Sequence, residues 1–270
     1  MIAVVVVLLA LPFVASEDNS WANYHWARIS NPLPLSLGDN VSDKWDAHLA
    51  DANSDWNDSA VLNNSVDPGR TSPRKCSPDD GLVEICNAKY GFNGWLGVSG
   101  IWVYSDGHIA KGYVKLNDSY FNTSTYNTPA WRQLVMCQEI GHQFGLGHQD
   151  EDFNNPNLGT CMDYTGSPEG NEHPNQHDYD QLYVIYTHLD DFDSWAPAPT
   201  DDGSGGGNGN GNGKGKKGDP PGQGASDWGK CISKDGKGRC DLFELDLGNG
   251  NKLLTNVLWA DLGNPDKGKP

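Results

Sequence analysis

Residues 138–148 constrain the fold more than any other segment, because they place two histidines and a glutamate around the end of a predicted helix. The segment reads Q-E-I-G-H-Q-F-G-L-G-H. Gln138 and His142 stand four positions apart, so their side chains project from one face of a helix. His148 lies beyond the reach of that helix. Gly145 permits the left-handed backbone that ends helices, and we expect the chain to turn there and return His148 towards the pair.

The helix that carries this segment also has a recognisable start. Thr128 followed by Pro129 is typical of an N-cap and the first helical position. Glu139 lies beside the pair, where its carboxylate can take a proton from a metal-bound water. The pattern therefore predicts a helix that ends in a metal site.

The segment resembles the signature of the metzincin clan of zinc endopeptidases, H-E-x-x-H-x-x-G-x-x-H, with Gln138 in place of the first histidine. Residues 161–164, Cys-Met-Asp-Tyr, resemble the Met-turn of that clan, a tight bend that places a methionine beneath the zinc. Tyr164 stands where astacins and serralysins carry a tyrosine that can reach the metal. Gln149, which follows the third ligand position, does not match the better-known subfamilies, so the subfamily stays unassigned.

This resemblance implies one catalytic zinc ion held by Gln138, His142 and His148. It implies that Glu139 is the general base for zinc-bound water, that Tyr164 assists at the transition state, and that Met162 is structural. The implied function is a secreted zinc-dependent endopeptidase that hydrolyses bonds in a peptide or protein substrate.

Glutamine at the first ligand position leaves three arrangements open. Its amide oxygen can reach a metal, but zinc prefers nitrogen, sulfur or carboxylate ligands. In the first, zinc is held directly by Gln138, His142 and His148. In the second, Tyr164 completes a four-ligand site with them. In the third, the site binds no metal, and the chain is a catalytically inactive metzincin-like binding protein, that is, a pseudoprotease.

Composition divides the chain into four parts. Residues 1–16 contain an apolar run too short to cross a bilayer, followed by small residues, as in a signal peptide. Residues 17–196 form the metzincin-like catalytic domain. Residues 197–225, rich in glycine and asparagine, predict a disordered linker. Residues 226–270 predict a small disulfide-containing β-hairpin module, whose Trp228 and Trp259 suggest glycan binding as a third hypothesis.

The alternation of helices and strands predicts an α/β (α+β) zincin-like fold with a mostly parallel five-stranded sheet and long helices packed on it. Trp45, Leu49, Ala52 and Trp56 recur at helical spacing and predict a helix with one apolar face. Strands are predicted over residues 26–37, 61–66, 83–86, 100–104 and 113–116, and a further helix over residues 177–189.

The chain has six cysteines, and an even number in an exported protein favours three disulfides. Proximity in the sequence favours Cys76–Cys86 and Cys231–Cys240. The remaining pair, Cys137–Cys161, would join the metal-site helix to the Met-turn.

The surface chemistry is that of an exported acidic protein. The chain has 36 acidic and 19 basic residues, a net charge of −17, which repels nucleic acid and anionic membranes. Asp150, Glu151 and Asp152 offer oxygen ligands for calcium, although exposed loop carboxylates are usually only solvated. We expect a secreted, extracellular monomer with neither a nucleic-acid nor a membrane partner. Sequons predict N-glycosylation at Asn40, Asn57, Asn63, Asn117 and Asn122.

Overall fold

The computed structural model describes residues 19–195 and 225–260. The predicted signal peptide, residues 1–16, and all but the last residue of the predicted linker, residues 197–225, lie outside the described residues. The final ten positions of the C-terminal segment lie outside them as well. In the described parts of the chain, no helix is both long and apolar enough to cross a membrane.

The described residues form a mixed α/β structure in which helices pack on a single sheet. The strands are β1 (Ser36–Asn40), β2 (Ser65–Pro68), β3 (Val83–Ala88), β4 (Trp95–Val103), β5 (Ile109–Asn117), β6 (Lys230–Lys234), β7 (Cys240–Gly248) and β8 (Asn251–Trp259). The helices are α1 (Asp46–Trp56), α2 (Asp118–Phe121), α3 (Pro129–Gln143) and α4 (Gln176–Ile185), and a short 3-10 turn covers Ala225–Asp227.

The sheet has eight strands in the order β2-β1-β3-β5-β4-β8-β7-β6, so the predicted count of five is wrong. Strand β1 pairs in parallel with β2 and β3, and β3 pairs in parallel with β5. The other four pairings are antiparallel, so the sheet is not mostly parallel. The difference arises because the β7–β8 hairpin pairs along the outer edge of β4 and extends the sheet. The sequence predicts the hairpin itself, but it does not predict which strand of the sheet the hairpin pairs with.

The predicted strand over residues 26–37 is also wrong, since β1 begins only at Ser36. Pro32 and Pro34 lack the backbone N–H that a ladder requires. Before the prolines, backbone N–H groups are satisfied by side chains instead. Trp26 N–H donates to the Tyr186 hydroxyl, and Arg28 N–H donates to Asp190. This part of the segment is therefore held largely by the residues around α4, while Leu33 forms only an isolated bridge with Leu62.

Helix α1 packs against α3 through the predicted apolar face. Leu49, Ala52 and Trp56 are buried, and the indole N–H of Trp56 donates to the backbone carbonyl of Cys137 at 3.1 Å. The predicted apolar face of α1 is thus confirmed, and its contacts hold α3 against the rest of the core. The further helix predicted over residues 177–189 ends earlier, at Ile185.

The predicted glycosylation sites divide into exposed and buried positions. Asn63 and Asn122 are exposed and Asn57 is partly exposed. Asn117 is fully buried, and its amide nitrogen donates to the carbonyl of Gly91 at 2.9 Å. Asn40 is also buried, and its amide nitrogen donates to Glu84. Because a glycan is attached to that nitrogen, one at Asn40 or Asn117 would disrupt these contacts, and the exposed sequons are the better candidates.

Candidate metal centre

Helix α3 and the turn after it place the predicted metal ligands. The Thr128 hydroxyl caps the helix by accepting the N–H of Trp131 at 3.2 Å, and Pro129 is the first helical residue, as predicted. Gly145 has a φ of +90°, and a Cβ at this position would overlap the carbonyl oxygen of Tyr24. The predicted turn is thus confirmed, and only glycine fits it.

The turn brings His142 and His148 together, with their ring centroids 4.7 Å apart and their planes at 84°. His142 Nδ1 lies 2.8 Å from the carbonyl of Leu146, which can only accept, so this nitrogen carries the proton and Nε2 keeps its lone pair. Trp21 stacks on the other face of His142 at 4.9 Å. Burial lowers the pKa of His142 well below its usual value and that of His148 to about 3. Both imidazoles are therefore neutral, which is the form that binds metals.

Gln138 and Glu139 precede these rings on α3, and both side chains are fully buried. Among the described residues, neither the amide atoms of Gln138 nor the carboxylate oxygens of Glu139 have a hydrogen-bond partner. Burial raises the pKa of Glu139 well above its usual value. The carboxylate lies against β4, where a Cβ on Gly97 would overlap its Oε1 atom. Buried polar groups are nearly always paired, so this unpaired set is unusual.

The loop at residues 161–164 lies beneath α3, as the resemblance implies. A Cβ on Gly141 would lie 2.6 Å from the sulfur of Met162, so the methionine contacts the helix between the ligand positions. The N–H of Gln149 donates to the carbonyl of Met162 at 2.7 Å, which ties the His148 segment to this loop. The ring of Tyr164 lies 4.2 Å from that of His148. The predicted metal-site residues are therefore neighbours in the fold.

Three disulfides join Cys76 to Cys86, Cys137 to Cys161 and Cys231 to Cys240, the pairs that the sequence suggests. The second bond connects the residue before Gln138 to the residue before Met162. It thus fixes α3 to the loop beneath it.

We expect a Cys137→Ser/Cys161→Ser variant to lose about 3 kcal/mol of unfolding free energy, because the bond closes a loop with a sequence separation of 24. Urea denaturation under non-reducing conditions measures the loss. A Cys231→Ser/Cys240→Ser variant is the matched control, and its shorter loop should cost less. A larger loss in the control pair would contradict a bracing role for the Cys137–Cys161 bond.

Asp241, at the start of β7, is a site residue that the sequence does not indicate. This residue is only 1 % exposed, and one of its oxygens accepts a hydrogen bond from the Tyr164 hydroxyl at 3.3 Å. Burial, together with the charge of Glu151, raises the pKa of Asp241 to about 6. His148, Glu151 and Asp241 offer ligand atoms that all lie within 4.8 Å of one another. No local pattern marks Asp241, which is 77 positions from Tyr164 in the sequence.

The C-terminal strands cover this centre. Strand β8 pairs along β4 from Trp95–Trp259 to Val103–Lys252, on the strand that the Glu139 carboxylate contacts. A cavity of about 190 Å³ remains beside His148. It is lined by Asn19, Ser20, Trp21, Gly147, His148, Glu151, Ser233, Asp241, Leu242 and Asn256. This approach to the centre is therefore bounded partly by the chain's own C-terminal segment.

Two minor predictions find no support in the structure. Asp150 and Asp152 accept backbone N–H groups of their own loop at 2.6 and 2.9 Å, as turn-forming aspartates do. Within the described residues, Asp150, Glu151 and Asp152 do not form a metal-binding group, so no calcium site is evident there. Trp228 is only 3 % exposed and packs against Phe243, so it is not available to stack on a glycan. Trp259 is half-buried, and its indole N–H donates to the carbonyl of Cys240 at 2.7 Å.

Comparisons with known proteins leave the family open. No protein-family model matches the chain, and no curated protein matches it in sequence. Among solved structures, it is similar to the zinc-protease hatching enzyme high choriolytic enzyme 1 of the medaka fish Oryzias latipes, with 12% identity and a TM-score of 0.36 over 62% of this chain and 96% of that chain. A GM1-bound form of the ECX AB5 holotoxin matches at 13% identity and a TM-score of 0.34, over 60% of this chain and 84% of that chain. Scores this low establish neither a shared fold nor a shared function.

Proposed function

We propose that the chain is a secreted metzincin-type zinc endopeptidase. One observation carries the proposal: the Gln138 amide and the Glu139 carboxylate are fully buried and unpartnered within the described structure, next to two neutral imidazoles. An unpaired buried carboxylate costs several kcal/mol. A cation beside it would offset that cost, and the three disulfides suit an exported, oxidised protein.

The donor set fits zinc. Gln138, His142 and His148 would hold the ion through one amide oxygen and two imidazole nitrogens, which zinc accepts, although an amide is the weakest of these ligands. When bound, zinc would polarise the peptide carbonyl and lower the pKa of a water molecule. All three ligands are neutral, so the charge that produces these effects is undiminished.

The chain's own residues then supply proton transfer and positioning. Glu139 takes a proton from the attacking water and passes it to the leaving amine, a role for which a raised carboxyl pKa is suited. Burial, and then the charge of Asp241, raise the pKa of Tyr164 well above its usual value. Its hydroxyl therefore stays protonated and can donate a hydrogen bond to the oxyanion that forms. Met162 supports α3 from below.

Substrate access requires the C-terminal strands to move. In the described conformation Asp241 accepts the hydrogen bond of the Tyr164 hydroxyl, and β8 occupies the edge of β4 beside Glu139. An extended peptide approaching Glu139 along that edge would compete with β8 for the same backbone groups.

The position of the C-terminal strands over the centre also favours a second candidate, a catalytically inactive metzincin-like binding protein. Gln138 and Glu139 have no exposed surface, and the edge of β4 is already paired. This pseudoprotease would keep the architecture without hydrolysis. It differs from the first candidate in a measurable way, because it predicts no cleavage that depends on Glu139.

Metal removal separates these candidates. We expect the full chain to cleave an unfolded protein substrate when zinc is present, and to lose that activity on chelation and recover it when zinc is restored. His142→Ala should abolish both cleavage and the corresponding zinc binding. His173→Ala is the matched control, because its side chain is 60% exposed and pairs with Asp55 away from the centre. Zinc binding without cleavage would favour the pseudoprotease, and absence of zinc at this centre would contradict the proposal.

A further inference from the structure

Three histidines and an aspartate converge at a place distant in sequence from the metal centre described above. His25 belongs to the N-terminal segment, His108 to the turn between β4 and β5, and His188 and Asp190 to the chain after α4. Asp190 Oδ1 lies 3.2 Å from His108 Nε2, 3.4 Å from His188 Nε2 and 3.7 Å from His25 Nε2. The Nε2 atoms of His25 and His188 are 3.1 Å apart. The other carboxylate oxygen accepts the N–H of Arg28 at 2.9 Å, which leaves Oδ1 facing the rings.

Three of these separations match the edges of a tetrahedral zinc site. Zinc binds imidazole nitrogen and carboxylate oxygen at roughly 2.0–2.1 Å, so two ligands of a regular tetrahedron are about 3.3 Å apart. The separations among His25 Nε2, His188 Nε2 and Asp190 Oδ1 are 3.1, 3.4 and 3.7 Å, around that value. These three residues therefore already place three ligand atoms around a position of the right size for the ion, while His108 lies beside the Asp190 carboxylate.

The outer nitrogen of one ring also has the partner that metal-binding histidines usually have. His25 Nδ1 lies 2.8 Å from the carbonyl of Asn23, which can only accept, so Nδ1 carries the proton and Nε2 presents a lone pair to the cluster. A carbonyl behind the ring fixes its orientation and raises its basicity as a ligand.

We propose that His25, His188 and Asp190 bind a structural zinc ion, with His108 beside the carboxylate as an outer neighbour. Two imidazoles and one carboxylate are ligands that zinc accepts. The ion would add a bond between the N-terminal segment and the chain after α4, where the N–H of Asp190 already donates to the carbonyl of Arg28. The His188 side chain is 53% exposed, which gives the metal a route of entry from solvent. This site is independent of the proposed peptidase activity.

The ion would also brace one wall of the first metal centre. The N-terminal segment that carries His25 contains Trp21, which stacks on His142, and Tyr24, whose carbonyl packs against Gly145. Its backbone meets the start of β5, since the N–H of Ile109 donates to the carbonyl of His25 at 2.7 Å. Loss of the structural ion would therefore loosen this segment without removing a ligand of the first centre.

Zinc counting on the full chain tests the proposal. The chain is stripped with chelator, dialysed against excess zinc and then against buffer, and analysed for zinc per chain. We expect two zinc ions in the unmodified chain and in His173→Ala, and one in His188→Ala. Because His188 is half-exposed, its replacement should leave the fold intact, which circular dichroism checks. A His142→Ala/His148→Ala variant should retain one ion, and adding His188→Ala to it should remove that ion and the rise in Tm that zinc produces.

The outcomes separate the two sites. If His188→Ala binds as much zinc as the unmodified chain, the structural site is wrong whatever happens at the first centre. If the His142→Ala/His148→Ala variant binds the same amount as the unmodified chain, the proposed peptidase centre fails and the structural site stands. His25→Gln provides a second removal of a ligand, and it should also lower the count by one. Cobalt in place of zinc should show the intense visible absorption of a tetrahedral site in the His142→Ala/His148→Ala variant, and its absence would contradict the proposal.

Discussion

Glu139→Gln lowers peptide hydrolysis by about 10³-fold, while zinc remains bound. A positioned general base contributes on the order of 10²–10⁴ to the rate, and glutamine has the shape of glutamate without its proton affinity. The structure places this carboxylate on α3 one residue after the first ligand position, fully buried against Gly97 of β4. The measurement is kcat/KM for a peptide substrate, together with zinc content of the same preparation.

Glu84→Gln is the matched control, because Glu84 is also a buried glutamate but lies on β3, where it accepts hydrogen bonds from Asn40 and from the N–H of Arg70. Its replacement should leave kcat/KM unchanged. A second readout does not depend on activity. Stripped of metal, Glu139→Gln should be more stable than the unmodified chain by about 1–3 kcal/mol, since it removes an unpaired buried charge or acid. Full activity in Glu139→Gln would contradict the role of Glu139 as the general base.

Gln138→His tightens zinc binding by at least about tenfold, the scale on which even changes in the outer shell of a metal site act. An imidazole nitrogen replaces the amide oxygen and completes three histidines around the ion, a ligand set that zinc favours. The position is one helical turn before His142 and is fully buried, so the new ring would face the same space. Competition with a chromophoric chelator measures the affinity.

Gln133→His on the same helix controls for the addition of a histidine to α3. Gln133 is buried at the start of the helix and accepts a hydrogen bond from His48 at 2.9 Å, away from the ligand face. The Gln133→His variant should therefore bind zinc with the same affinity as the unmodified chain. Equal affinities for Gln138→His and the unmodified chain would mean that residue 138 does not face the metal.

Local signals predicted much of α3 and its surroundings. Rules that act within one helix and its ends predict where α3 begins, at Thr128-Pro129, and where the chain turns, at Gly145. The turn in turn predicts that His142 and His148 lie close together. Such signals are reliable because the residues that interact are close in the sequence. The same holds for the apolar face of α1, whose spacing alone sets which side is buried.

Long-range pairings were not predictable in the same way. Nothing in residues 240–259 indicates that β8 pairs with β4, or that Asp241 reaches the Tyr164 hydroxyl. Likewise, the strand predicted over residues 26–37 failed because its backbone N–H groups are satisfied by side chains around α4, such as Asp190. The burial of the Asn117 amide was not predictable for a related reason, since it depends on partners outside its own strand.

Anomalous diffraction at the zinc absorption edge, on crystals grown with excess zinc, tests the central claim most directly. We predict a peak bonded to His142 and His148, with the Gln138 side-chain oxygen as a further ligand. A strong peak at His25, His188 and Asp190 combined with no density between Gln138, His142 and His148 would contradict the peptidase centre. So would an ion held by His148, Glu151 and Asp241 with Gln138 turned away.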